Sequence, residues 1–145
     1  MSRPVLLWFR QDLRLTDNPA LQAALARGAP VIPLYCHAPD EEGEWAPGGA
    51  ACWWLHQSLA ALDASLRSLG SRLILRSASS GPAATQRALL QLIEETGADT
   101  VYWNRRYEPA VIARDSAIKA ALRERGVLAE SYNAALFIEP WQVQN

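Results

Sequence analysis

Five short apolar runs, each separated from the next by a longer stretch of helical periodicity, constrain this chain more than any other feature. Val5 to Phe9, Val31 to Cys36, Arg72 to Ser77, Thr100 to Asn104 and Val127 to Tyr132 read as strands. Most are near-continuous aliphatic or β-branched runs, the pattern of strands covered on both faces, rather than the alternation of a half-exposed sheet. Strands that alternate with helices build βαβ units and a parallel sheet. The expected architecture is therefore α/β: a five-stranded parallel sheet of order 3-2-1-4-5 with helices on both faces, three-layered and Rossmann-like. At 145 residues, 50% of them apolar, the chain supports one domain with a real core.

The helices are punctuated in the sequence. Asn18 before Pro19 and Gly81 before Pro82 each place a cap, then a proline in the first turn, where a missing N–H costs nothing. In the second helix Ala51, Leu55, Leu59, Leu62, Leu66 and Leu69 fall three or four apart and draw one apolar stripe for the sheet. Gly28, Gly70, Gly97 and Gly126 each follow the last periodic residue of a helix, where glycine is the cheapest terminator. His37 to Gly49, rich in Pro, Gly and acidic residues, reads as a long exposed loop after the second strand.

Several functions are argued against. A net charge of -1 gives no cationic field for a polyanion, so strong DNA binding by this chain is not expected. Cys36 and Cys52 read as free thiols of a reducing compartment, and no signal layout or membrane-length apolar run is present, so a cytoplasmic monomer is expected. The first strand-to-helix turn, Arg10 to Asn18, contains no glycine, which argues against a dinucleotide site. Strand three ends in Arg76-Ser77 and strand five in Tyr132-Asn133, not in the Asp and Lys of a phosphorelay receiver. His37 and His56 do not have metal-site spacing, and no nucleophilic constellation is visible.

Ligands of open parallel sheets bind beyond the carboxyl ends of the strands, where strand order reverses. That rule nominates Arg10, Gln11, Asn104 and Glu108, with Cys36 and His37 nearby. Arg10 and Glu108 read equally as ligands or as a buried ion pair fastening strand one to strand four. Asp12 and Arg14 read as a turn-fixing pair, Asp17 and Asn18 as cap residues, and Trp8 and Trp103 as core.

The segment Leu7-Trp8-Phe9-Arg10-Gln11-Asp12-Leu13-Arg14-Leu15-Thr16-Asp17-Asn18 resembles the opening of DNA photolyases and cryptochromes. The resemblance continues through Trp53-Trp54-Leu55-His56-Gln57-Ser58-Leu59, Trp103-Asn104-Arg105-Arg106-Tyr107-Glu108-Pro109 and Arg114-Asp115. It implies the N-terminal α/β domain of a photolyase, residues 1–134, followed at 135–145 by the start of a linker to a helical FAD-binding domain outside this chain. It also implies an antenna chromophore, a deazaflavin or a methenyl folate, that passes light energy to FAD. The flavin then splits pyrimidine dimers in damaged DNA. On this reading the antenna pocket holds Arg10, Cys36, Asn104 and Glu108, and this chain by itself is not catalytic. Two positions depart from the family pattern. Cys52 stands where many relatives have Arg, and Val111 where folate-binding relatives carry a carboxylate, which argues against folate.

Overall fold

The computed structural model describes residues 2–41, 46–78 and 81–143. Strands β1 (Val5–Phe9), β2 (Val31–His37), β3 (Ile74–Ser77), β4 (Thr100–Asn104) and β5 (Leu128–Tyr132) form one sheet. All neighbours are parallel and the order is β3-β2-β1-β4-β5, as the sequence implies. The third strand begins two residues later than expected. Leu73 N–H is donated at 2.9 Å to the Asp63 carboxylate, so it is not free for the ladder.

Helices α1 (Pro19–Ala26) and α2 (Gly49–Ser68) cover one face; α3 (Ala84–Thr96) and α4 (Pro109–Glu124) cover the other. Alternation along β1 divides its side chains between them. Val5, Leu7 and Phe9 pack with Ala20, Ala24, Leu62 and Leu66. Leu6 and Trp8 pack with Trp103, Leu89, Leu92, Ile118 and Leu122 on the far side. Trp8 and Trp103 are core, as expected, and meet edge to face with ring centroids 5.5 Å apart.

Asn18 caps α1 by accepting from Leu21 N–H at 3.1 Å, with Pro19 at the first helical position. Asp17 does not share that role; it sits in the left-handed region at φ 51°. The start of α3 departs from the sequence reading. Gly81 and Pro82 precede the helix, and its cap is Ala83, at φ 56° and without a side-chain acceptor. Glu41, from the loop after β2, supplies the acceptor instead: it takes a hydrogen bond from Thr85 N–H at 2.9 Å and another from the Thr85 hydroxyl.

The stripe on α2 is only half used. Leu62 and Leu66 are buried and Leu55 and Leu59 partly so, but Ala51 and Leu69 are exposed. The reason is length. Twenty helical residues span about 30 Å at 1.5 Å each, whereas the five of β1, against which Leu62 and Leu66 pack, span roughly 17 Å. The first turns of α2 overhang the carboxyl edge of the sheet. The loop from 38 to 48 joins them to β2, and its residues 42–45 lie outside the described residues.

Candidate chromophore-binding site

Arg10 follows the last residue of β1, and the strand's alternation sets it on the same side as Trp8. Its guanidinium carbon lies 4.7 Å from the Trp8 ring centroid. The side chain is 4% exposed and donates to the Asp115 carboxylate, in α4, and to the backbone carbonyl of Asn104. Burial pushes the guanidinium below its ordinary value, while Asp115 pulls it back toward the charged form. The ion pair that fastens the end of β1 is therefore with Asp115, not with Glu108. Glu108 stands half exposed at the start of α4 and accepts from Arg106 at 3.1 Å. Burial would raise its carboxyl, but backbone N–H groups and Arg106 outweigh that and hold it below its ordinary value.

Asn104 is 3% exposed and its side chain is hydrogen-bonded through both its oxygen and its amide nitrogen. Its oxygen accepts from Ala20 N–H at 3.0 Å, and its amide donates to Asp12 at 2.5 Å and Asn18 at 2.7 Å. Asp12 also accepts from Arg10 N–H at 2.8 Å, so it fixes the turn through backbone and Asn104 rather than by pairing with Arg14. Arg14 instead donates to the carbonyls of Asp17 and Ala134, each at 3.0 Å. Asn104 thus uses both of its amide donors and its side-chain oxygen. It locks three chain segments at the carboxyl edge together.

Two clefts open along this edge, and they divide the four nominated residues. The first, about 410 Å³, lies beyond β1 and β2 under the overhanging turns of α2, and Arg10 and Cys36 line it. The second, about 430 Å³, lies beyond β1 and β4, and Asn104 and Glu108 line it. Gln11 and Arg106 border both. In the first cleft Trp8 and Tyr35 rise from the strands, Trp54 and Leu55 come from α2, and Arg114 from α4. Arg114 lies 5.6 Å from the Trp8 ring and is held by Glu41 at 3.5 Å and Asp115 at 3.2 Å. Burial pushes the Cys36 thiol up to about 12, with nearby Glu41 adding to the effect, so it stays a neutral hydrophobic wall. Cys52 and Cys36 are both free thiols, and Cys52 lines the mouth of the same cleft. Among the described residues no group of His, Cys, Asp and Glu is placed to hold a metal ion.

The second cleft is bordered by a segment that closes back onto the sheet. Glu139 is 6% exposed and accepts from Arg105 at 2.7 Å and from the Tyr107 hydroxyl, also at 2.7 Å. Burial alone would raise its carboxyl; the bonds from Tyr107 and Arg105 prevail and hold it below its ordinary value. The next residues, Pro140–Gln142, form a single 3-10 turn in which Trp141 lies 5.6 Å from the Arg105 guanidinium. Phe137, Ile138 and Trp141 are exposed.

The sequence profile of the DNA photolyase family matches residues 5–145. The chain belongs to the DNA photolyase family. A deoxyribodipyrimidine photo-lyase of Agrobacterium fabrum is 50% identical over 143 residues, which is 99% of this chain and 28% of that protein. Cryptochrome-1 of Arabidopsis thaliana is 46% identical over 138 residues, 95% of this chain and 20% of its own. The crystal structure of a bacterial class III photolyase from Agrobacterium tumefaciens superposes with a TM-score of 0.88 at 48% identity, covering 99% of this chain and 28% of that one. The chain thus spans about a quarter of the length of its photolyase relatives, and its fold is that of their N-terminal α/β domain. No helix among the described residues is long and apolar enough to cross a membrane.

In this photolyase-family domain the residues at the cleft that sequence reasoning did not nominate include Trp54, Arg106 and Arg114, which line it, and Glu41, which lies outside the lining and holds Arg114. Three of them sit in the segments that carry the resemblance. A Trp-Trp pair outside the apolar stripe of α2 is itself a signal, because a tryptophan that does not face the core has another use. Glu41 gave no such sign, since its partners are far away in sequence.

Proposed function

We propose that this chain is the antenna-chromophore domain of a light-driven DNA repair photolyase, and that the β1–β2 cleft is the seat of the antenna. The observation that carries the reading is the cleft's composition: Trp8, Tyr35 and Trp54 offer flat apolar surface, and Leu13 and Leu55 extend it. Holding a ring at fixed distance and orientation needs rigid walls and no proton transfer. Trp8, locked by Trp103 and Arg10, is such a wall.

FAD does not fit this chain. Its pyrophosphate calls for close backbone approach at a glycine turn, and the β1–α1 connection from Arg10 to Asn18 has no glycine. The flavin and the contact with damaged DNA accordingly belong to a helical domain, reached through residues 135–145. Phe137, Ile138 and Trp141 are apolar surface for that domain to cover. For the antenna we favour a deazaflavin or another flat tricycle over methenyl folate. A pterin edge presents two parallel donors that a carboxylate would accept, and no carboxylate is among the described residues lining the cleft. Val111 is buried in α4 and offers no acceptor. Unpaired donors cost on the order of 1–3 kcal/mol each.

Titrating the purified chain with an 8-hydroxy-deazaflavin and with methenyl folate, followed by quenching of tryptophan fluorescence, tests the reading. Saturable binding of the deazaflavin, weakened by Trp54→Ala, is expected. Binding of neither ring would overturn the antenna assignment, and tighter binding of the folate would reverse the choice of ring. The 46% identity to Cryptochrome-1 favours a second reading, a blue-light signalling protein built on the same domain. Repair of dimer-containing DNA by the full-length protein under illumination separates the two; its absence would favour signalling.

A further inference from the structure

Resting on the reading of this chain as an antenna domain joined to a helical flavin domain, we propose that Glu139 is a positioning residue. It latches residues 133–142 onto the end of the sheet, so that Phe137 and Ile138 are held out as a preformed knob on which the helical domain docks. The segment is pinned at both ends. At its start the Asn133 side-chain oxygen accepts from Ala135 N–H at 3.2 Å and Leu136 N–H at 2.9 Å, and its amide donates to the Leu136 carbonyl at 2.5 Å. Arg14, from the β1–α1 turn, donates to the Ala134 carbonyl at 3.0 Å. At the far end the Arg105 guanidinium bridges to Glu139 through Nε at 2.8 Å and Nη2 at 2.7 Å, while its Nη1 holds the Ser131 carbonyl of β5 at 2.8 Å. The Tyr107 hydroxyl donates to Glu139 at 2.7 Å. Pro140 stiffens the backbone after Glu139, and Gln142 Oε1 accepts from Glu139 N–H at 2.8 Å.

Burial along the segment is inverted. Of residues 133–142 Glu139 alone is buried, whereas Leu136, Phe137, Ile138 and Trp141 are exposed. Ordering a segment opposes folding, and burial of these large apolar side chains in the domain itself does little to offset that cost. A segment ordered for the domain's own stability would bury its apolar side chains and leave its carboxylate in water. This one does the reverse, which is the arrangement of a surface preorganised for an apolar partner. The partner is the rest of the same polypeptide. The chain covers 28% of the Agrobacterium fabrum photo-lyase, and the family profile runs through the segment to residue 145. Transfer of excitation between two rings depends on their separation and angle. A loose tether leaves both free, and a latched knob limits them.

Hydrogen exchange of the purified chain reads the latch. Gln142 N–H, bonded to the Glu139 carbonyl at 2.9 Å, should be protected. Glu139→Ala should speed its exchange by about 10- to 100-fold, the loss expected for charge-assisted hydrogen bonds, with the sheet amides unchanged. Tyr107→Phe, which keeps the ion pair, should fall between the two. A Gln142 amide unprotected in the wild type, or equally protected in Glu139→Ala, overturns the latch. In the full-length parent, Glu139→Ala and Phe137→Ser should each lower the efficiency of antenna-to-flavin transfer with the content of both chromophores unchanged; in Phe137→Ser the Gln142 amide should stay protected. Unchanged transfer in both variants overturns the docking role. A concentration-dependent dimer of the parent that Phe137→Ser abolishes would assign the knob to a second copy and overturn the helical domain as its occupant. A parent that holds neither chromophore overturns the antenna reading, and the exchange result still decides the latch.

Discussion

The buried pair between Arg10 and Asp115 gives the sharpest test of how the carboxyl edge is held. Asp115→Ala removes the carboxylate with which the Arg10 side chain, 4% exposed, pairs among the described residues, and leaves it the Asn104 carbonyl. An uncompensated buried charge costs about 3–5 kcal/mol when one partner of such a pair is removed. The same substitution takes from Arg114 one of its two carboxylates, and Glu41 remains to hold it. An unfolding entropy of about 2.1 cal/mol/K per residue makes 1 kcal/mol worth roughly 3 °C in a domain of this size, so the midpoint should fall by about 10–15 °C. Differential scanning calorimetry with urea denaturation measures both quantities. The double variant Arg10→Met, Asp115→Leu separates a charge effect from a packing effect. Replacing both ions by apolar groups of similar volume is often neutral, so it should recover most of the loss. A single variant within about 0.5 kcal/mol of the wild type, or a double variant no better than the single one, would refute the reasoning.

Three further outcomes follow from the geometry. Glu139 has its carboxyl held below the ordinary value by Tyr107 and Arg105 against the opposing effect of burial. The stability it contributes is therefore present above the unfolded value of about 4.3 and is lost as pH falls through the lower folded value. Trp141 fluorescence should change across that acidic window, and Glu139→Gln should abolish the change. Titration with an aromatic disulfide near pH 8 should find one fast thiol per chain, Cys52. Cys36, with its thiol pushed up to about 12, should react only on unfolding, and a ligand in the β1–β2 cleft should shield Cys52. Gly97 ends α3 at φ 71° with its N–H on the Ile93 carbonyl and open space where a Cβ would go. Gly97→Ala should therefore cost about 1–2 kcal/mol from backbone conformation alone, read as a shift in the urea midpoint; no shift would mean that the turn relaxes.

The sequence by itself determined the sheet. Strands buried on both faces must be apolar along their whole length, so Val5–Phe9 and Thr100–Asn104 announced themselves with the bounds they have in the structure. The Asn18 cap and the glycine stops were equally legible, since a cap and a left-handed terminator act within a few residues. With strand number and alternation fixed, the handedness of parallel crossovers leaves few orders open, and 3-2-1-4-5 is the one observed.

What only the tertiary structure decided are pairings over long separations. Arg10 finds Asp115 across 105 residues rather than Glu108, because α4 packs on the Trp8 side of the sheet, the side to which β1 delivers Arg10. Glu41 caps α3 across 44 residues, a contact that no local pattern announces. The apolar stripe of α2 predicted burial to its first turn, but the helix is longer than the strands beneath it, and the overhang became the roof of a cleft. Spacing along a chain records which face a side chain takes; where elements end against one another depends on their relative lengths in space. That is why the nominated residues Arg10, Cys36, Asn104 and Glu108, close together on one edge, were divided by the fold between two clefts.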